Sequence, residues 1–205
     1  RPDDVIIDDY VQTVARLQDL AGYVCLNLSC PNTRDGQGFF HSQHRLQALL
    51  DALTSLGVRR PLFLKVAPFA STGDLEKFLD TVAAADFVSG FAVNLPPGKP
   101  SGISSPLPGA VSGKPAEPKA DKAIRELYQR MDRTRYSIIG SGGVFSAEDA
   151  YRKIRLGASL VQLLTSLVYE GPSVVRSINR QLPQLLARDG FQHVSEAIGT
   201  YEDKL

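Results

Sequence analysis

The 205-residue sequence has no tryptophan, one methionine, three histidines and two cysteines. Both cysteines, Cys25 and Cys30, lie on one short segment and cannot frame a disulfide scaffold. With His41, His44 and His193 they are also too few for a soft-ligand metal site. The chain reads as reduced, intracellular and metal-free. An excess of one charge is missing too: Lys plus Arg number 23 against 22 Asp plus Glu, a formal net charge of +1. That excludes the electrostatic footprint of a nucleic-acid binder. Nor is there a long apolar run. The longest, Leu160 to Tyr169, is interrupted by Gln162, Thr165 and Ser166 and falls short of the roughly 20 residues of a membrane-spanning helix. No signal peptide is visible. With 43% hydrophobic and 22% charged residues, residues 1–205 are expected to form one folded domain rather than a disordered or fibrous chain.

What is present is an alternation. Segments rich in aliphatic and β-branched residues at Gly22–Ser29, Leu62–Ala67, Gly90–Asn94, Ser137–Gly140 and Leu160–Thr165 have the pattern of buried strands. Helix-period stretches separate them at Asp8–Leu20, Arg45–Leu56, Leu75–Ala85, Lys119–Met131 and Ala147–Arg155, and Ser173–Ala187 follows. Strict αβ alternation with crossovers of this length argues for an α/β protein with a parallel sheet, open or closed into a barrel. Ser146-Ala-Glu-Asp149 and Ser71-Thr-Gly-Asp74 resemble capping boxes that start two of the helices. One stretch breaks the pattern: Leu95–Pro118 holds seven of the thirteen prolines and is expected to be irregular, a candidate lid.

Strand alternation places Val24, Leu26 and Leu28 on one face and Cys25, Asn27 and Ser29 on the other. The same parity groups Lys65 with Phe63 and Ala67, a lysine in need of a partner where a buried strand would carry a branched apolar residue. In a parallel sheet the carboxyl ends of the strands share one rim, so Asn27, Lys65, Asn94, Gly142, Gly143 and Thr165 converge. Adjacent glycines after a strand let backbone N–H groups approach an anion, which points to a phosphorylated cofactor.

At Asn27-Leu-Ser-Cys-Pro-Asn-Thr33 the sequence resembles the active-site segment of dihydroorotate dehydrogenases, flavin enzymes of pyrimidine biosynthesis. The resemblance runs collinearly through Phe63-Leu-Lys-Val-Ala-Pro68, Val111-Ser-Gly-Lys-Pro115, Ile138-Ile-Gly-Ser-Gly-Gly-Val144 and Ile154-Arg-Leu-Gly-Ala-Ser-Leu-Val-Gln-Leu163. It ends at Asp189-Gly-Phe191 and Ala197-Ile-Gly199. The later segments resemble the class 2, quinone-reducing branch. The resemblance implies FMN as cofactor and dihydroorotate and orotate as substrate and product. It also implies a quinone acceptor and peripheral association with the mitochondrial inner membrane, or else a bacterial cytoplasmic membrane or cytoplasm. By the same route Asn27, Asn32, Thr33 and Asn94 are expected to hold the substrate, and Lys65, Ser112, Gly113, Gly142, Gly143, Leu164 and Thr165 to lie along the FMN and its phosphate. Cys30 falls at the position of the catalytic base, where class 2 enzymes carry serine and class 1 enzymes cysteine. A thiol, which titrates near ~8.5 in peptides, is a better base near neutrality than an alcohol.

Leu95-Pro-Pro97 and Leu164 depart from the family pattern, which has threonines at the first place and usually a tyrosine at the second. The matched strands correspond to the last five (β/α) units of a TIM-type (β/α)8 barrel, a fold of typically about 250 residues. The expectation is an incomplete barrel whose missing strands come from a longer chain or a partner subunit. A second reading is a catalytically degenerate accessory or structural subunit of a larger assembly. A third is a flavin barrel acting on reduced pyrimidines, since dihydropyrimidine dehydrogenases have a similar Asn-Leu-Ser-Cys-Pro segment. Closure of Arg34–His41 and Leu95–Pro118 over the substrate is also expected.

Overall fold

A computed structural model describes residues 3–30, 38–96, 98–100, 102–104, 106 and 109–202. The chain runs α1 (Asp3–Leu17), a 3-10 turn (Gln18–Leu20), β1 (Val24–Asn27), a second turn (Phe39–His41), α2 (Gln43–Leu56), β2 (Leu62–Val66), α3 (Thr72–Ala83) and β3 (Val88–Val93). A third turn (Lys114–Ala116) leads into α4 (Glu117–Arg130), then β4 (Ser137–Gly140), α5 (Ala147–Leu156), β5 (Leu160–Val161), α6 (Thr165–Glu170), α7 (Ser173–Arg188) and α8 (Val194–Ala197). The strands form one parallel sheet in the order β1-β2-β3-β4-β5. Sequential order with helical crossovers is the arrangement of a barrel wall, and this wall is partial.

The two faces of the sheet differ as the alternation predicts. Leu26, Leu28, Leu62, Leu64, Phe91, Val93 and Ile138 point outward and pack with Leu46, Leu50, Leu53, Leu75, Ile124 and Leu127 of the helices in the main core. Burying such aliphatic side chains contributes about 1.5–3 kcal/mol each. On the inner face Cys25, Phe63, Ala92 and Ile139 make a small separate cluster. Two positions beyond the Cys25–Phe63 pair, Asn27 stands level with Lys65. Leu160, level with Ile139 on this inner face, is 59% exposed, so the inner wall is open at the β5 edge.

Three expectations need correction. The fifth strand ends at Val161, not Thr165: its ladder continues only through the Gln162 N–H to Gly140 C=O bond of 2.8 Å, and Thr165 then starts α6. Leu95–Pro118 is not irregular throughout, because the chain turns helical at Lys114 and α4 starts at Glu117. Pro115 and Pro118 sit in first turns, where a missing N–H forfeits no helical bond. The first helix begins at Asp3 rather than Asp8 and gives way to the tighter turn at Gln18. Of the two capping signals, Ser146 and Asp149 form a reciprocal box, whereas at Ser71 only half of one forms: the hydroxyl accepts from the Asp74 N–H at 3.1 Å.

Candidate functional site

At the carboxyl ends of β1 to β3, side chains are stitched to one another. Asn94, 7% exposed, turns its amide nitrogen onto Asn27 Oδ1 at 3.3 Å, the Ser29 carbonyl at 2.9 Å and Ser29 Oγ at 3.1 Å, while its own oxygen accepts from the Leu95 N–H at 2.8 Å. The Ser29 hydroxyl donates to the Lys65 carbonyl at 3.2 Å, and the Ser141 hydroxyl donates to the carbonyl of Val93. From behind, the Tyr10 hydroxyl of α1 donates to the Asn27 carbonyl at 2.6 Å. Burial above all, with Cys30 as a lesser cause, pushes the Tyr10 phenol above its ordinary value, so it stays a donor. The side-chain donors of Asn94 are therefore committed to Asn27 and Ser29, and its backbone N–H to the Val66 carbonyl at 2.7 Å.

Two groups here are left over. The Lys65 side chain is half-buried, yet its ammonium makes no hydrogen bond or ion pair among the described residues. The expected protein partner is absent there. The amide nitrogen of Asn27 is likewise without a partner among them. Both residues line one cleft of about 470 Å³, as does Cys30, a size within the range of pockets that take cofactors and small ligands.

The β4–β5 end uses backbone instead. Gly142 and Gly143 have φ of +92° and +76°, a region disfavoured for residues with a Cβ. A Cβ on Gly143 would also lie 2.5 Å from the Glu117 Cβ. The Asp149 carboxylate, 4% exposed, grips this turn from behind, accepting from the Phe145 and Ser146 N–H groups at 2.9 and 3.1 Å. Its other oxygen takes the Lys114 ammonium at 2.5 Å and Arg152 at 3.2 Å. Burial pushes the Asp149 carboxyl up, but Lys114, the Phe145 N–H and Arg152 outweigh it and hold it at about 2. Lys114 follows Gly113 directly, so this ion pair joins the Ser112–Gly113 arm to the Gly142–Phe145 arm. The Thr165 hydroxyl adds a third member by donating to Ser112 Oγ at 3.1 Å. Behind Asp149 the charges continue: Arg152 meets Glu117 and Asp121 at 2.8 Å each, and Lys153, with 0% exposure, meets Asp121 at 2.6 Å. Burial pushes Lys153 below its ordinary value despite Asp121.

Of the residues singled out from the sequence, Asn27, Cys30, Lys65, Asn94, Ser112, Gly113, Gly142, Gly143, Leu164 and Thr165 all line this one cleft. Asn32 and Thr33 lie outside the described residues. Leu164, 72% exposed, presents a bare aliphatic side chain at the rim. Sequence reasoning passed over Ser141, Phe145, Gln162 and Ser166, which also line the cleft. Ser141 and Gln162 directly follow β4 and β5, and that adjacency was the available signal for them; Phe145 and Ser166 lie further along the chain. It also missed Tyr10 and Lys114, whose contacts join distant segments, and it read Asp149 as a helix cap without its pairing to Lys114.

A family model described as dihydroorotate dehydrogenase matches residues 3–186. Among curated relatives, a dihydroorotate dehydrogenase (quinone) of Haloarcula marismortui is 41% identical over 197 residues, covering 94% of this chain and 54% of the relative. One of Roseiflexus castenholzii is 40% identical over 200 residues with the same coverage, 94% and 54%. Among solved structures, the DHODH of Eimeria tenella in complex with ferulenol superposes with a TM-score of 0.86 at 28% identity, over 95% of this chain and 57% of that one. The chain thus spans about half the length of the curated relatives it matches.

Proposed function

Because this chain belongs to the dihydroorotate dehydrogenase family, we propose that it forms the FMN-holding and proton-abstracting part of an enzyme that oxidises dihydroorotate to orotate. The observation that carries this reading is the convergence of Cys30, Lys65, Asn27 and the Gly142–Gly143 turn on a single cleft at the carboxyl rim of the sheet. Rims of this kind are where barrel enzymes carry their chemistry.

The residues present fit FMN. Two adjacent positive-φ glycines offer backbone without side chain, the Lys65 ammonium has no hydrogen-bond or ion-pair partner among the described residues, and the cleft has room. Lys65 would face the flavin ring, with Ser112, Gly113, Gly142, Gly143, Leu164 and Thr165 along the phosphate side. When bound, FMN supplies the acceptor for the hydride equivalent that leaves C6 of dihydroorotate. Cys30 Sγ takes the proton from C5 as general base. The amide nitrogen of Asn27, unpartnered among the described residues, meets the substrate's ring or carboxylate, and Asn94 spends its own side-chain donors on fixing Asn27 and Ser29 rather than on the substrate. Asn32 and Thr33 follow Cys30 closely in the chain and complete the substrate's polar surroundings in this reading. The Lys65 ammonium supplies positive charge where negative charge accumulates on reduction. The names of the relatives support a quinone as final oxidant; a place at a membrane surface is part of the same proposal. The open inner wall at Leu160 supports supply of the remaining barrel strands by a longer chain or a partner subunit.

The test is the visible absorption spectrum of the protein purified from its source, before and after anaerobic addition of dihydroorotate. A flavin spectrum that bleaches is the expected result. A flavin-free native assembly would overturn the reading in favour of an accessory subunit with an inherited pocket. Bleaching by dihydrouracil but not by dihydroorotate would reassign the substrate.

A further inference from the structure

Tyr10 takes no part in the chemistry above. It stands on α1, ahead of the first strand, yet it touches the chain on both sides of Cys30. Its hydroxyl donates to the carbonyl of Asn27, which precedes the thiol, at 2.6 Å. Its ring packs edge-to-face on Phe40, which follows the thiol, with centroids 5.3 Å apart and an interplanar angle of 82°. Phe40 is itself buried, so the contact has an anchored partner. Cys30 is also near enough to act on Tyr10, since after burial it adds to the rise of the phenol above its ordinary value. We propose that Tyr10 is a positioning residue: by clamping the chain before and after Cys30 it holds the thiol in line with the C5 proton of dihydroorotate. The inference rests on the reading of Cys30 as the base.

The place of the hydroxyl bond in the strand says what it controls. The N–H groups of Val24 and Leu28 donate to the Pro61 and Lys65 carbonyls on the β2 side. Backbone groups alternate in direction along a parallel strand, so those of Asn27 face the opposite edge of β1. That edge has no neighbouring strand among the described residues, and there Tyr10 supplies the donor. The Asn27 side chain is held separately, from the β3 side and from its own turn: its Oδ1 accepts from Asn94 Nδ2 and from the Ser29 N–H at 3.3 Å each. Loss of the Tyr10 hydroxyl therefore leaves the amide that meets the substrate in its grip and frees the backbone that leads to Cys30. Substrate binding and proton removal should come apart.

Tyr10→Phe tests this, because it keeps the ring on Phe40 and removes the hydroxyl alone. In the complete FMN-loaded enzyme the rate of flavin reduction at saturating dihydroorotate is expected to fall about tenfold, less than the roughly hundredfold cost of a misplacement of about 1 Å. FMN content and the dissociation constant of orotate are expected to match the wild type. Isotope effects supply the readout that a merely structural role would not move. With the base displaced, proton removal slows relative to hydride loss, so deuterium at C5 is expected to slow reduction more in the variant than in the wild type. Deuterium at C6 is expected to slow it no more. A variant that had only lost folded protein would show fewer active sites with wild-type rates and isotope effects. Wild-type rates in Tyr10→Phe, orotate binding weakened as much as the rate, or an unchanged C5 isotope effect would each overturn the proposal. Cys30→Ala distinguishes this from failure of the base reading. If Cys30→Ala reduces flavin at the full rate, the base assignment fails and Tyr10 with it. An impaired Cys30→Ala beside an unimpaired Tyr10→Phe overturns the role of Tyr10 alone.

Discussion

At the β1–β3 end of the cleft, polar side chains hold one another in place: Asn94 grips Asn27 and Ser29, and Ser29 grips the Lys65 carbonyl. At the β4–β5 end the cleft wall is glycine backbone, and the side chains that matter stand behind it, with Asp149 clasping the Phe145 and Ser146 N–H groups and paired to Lys114. In the proposed reading, the difference follows from what each end would meet. A planar, amide-rich substrate is recognised by directional amides and needs a base, whereas a phosphate is met by convergent donors that need no side chain of their own. A substitution at the first end should therefore remove chemistry and leave cofactor binding, and one at the second end should do the reverse.

The sharpest break of that comparison is Cys30→Ala. The rate of flavin reduction by dihydroorotate in anaerobic stopped flow is expected to fall about 10²–10⁴-fold, the usual share of a general base, with FMN content unchanged. Retention of the full rate would sink the base assignment. Next in size is Gly143→Ala, which combines a φ of +76° with a Cβ 2.5 Å from that of Glu117. Backbone strain of this kind costs about 1–3 kcal/mol, and the turn must shift away from α4. FMN is expected to be lost on gel filtration, while the fold persists by circular dichroism. Retained FMN would mean that the turn is not part of the cofactor's cradle.

Which parts were legible follows from the same contrast. Strand parity alone separated Leu26 and Leu28 from Cys25 and Asn27, because a parallel strand with helices on one side imposes period two, and both leucines are in the helix-facing core. The rim residues were legible because chain order places every strand end on one side. The fifth strand was read too long, since Leu163 and Leu164 are apolar without being strand. Leu164 is instead 72% exposed before α6. The supporting layer was invisible, since Lys114 and Asp149 are 35 residues apart and Tyr10 reaches Asn27 across 17. Pairings of that span are decided by tertiary packing and leave no periodic trace. Lys65 stood out correctly as anomalous, but the partner expected for it is not among the described protein groups.

A milder break of the second end is Asp149→Asn, which keeps the size of the side chain while removing the charge that Lys114 and Arg152 share. Losing hydrogen bonds to charged groups costs about 1.5–3 kcal/mol, and denaturant unfolding should show a fall of that order, with FMN affinity lowered and Cys30 alkylation by iodoacetamide unchanged. The pH dependence has a definite sign. Asp149 is held at about 2 in the folded protein against an ordinary 3.8, so its contribution is present above the ordinary value and is lost as pH falls from about 4 through about 2. Wild type should therefore lose more stability than Asp149→Asn across that window. Parallel curves would show that the carboxylate is not what holds the turn.

The smallest expected effect tests whether the two ends are mechanically joined. Ser141 precedes the glycine pair in the chain, yet its hydroxyl bonds to the Val93 carbonyl, next to Asn94. It is thus the described hydrogen bond that ties the base of the glycine turn to the amide cluster of the other end. Ser141→Ala should cost about 0.5–1.5 kcal/mol of stability, the value of one neutral hydrogen bond. If the tie transmits position, the variant should lower both FMN affinity and the rate of flavin reduction, each by a few-fold. If the ends are independent, one quantity will move and the other will not. Because Asn94 and Gly142 sit on neighbouring strand ends, a shift of either relative to the other would, in the proposed reading, change where the substrate lies over the cofactor, and the reduction rate is the more sensitive reporter of such a misplacement.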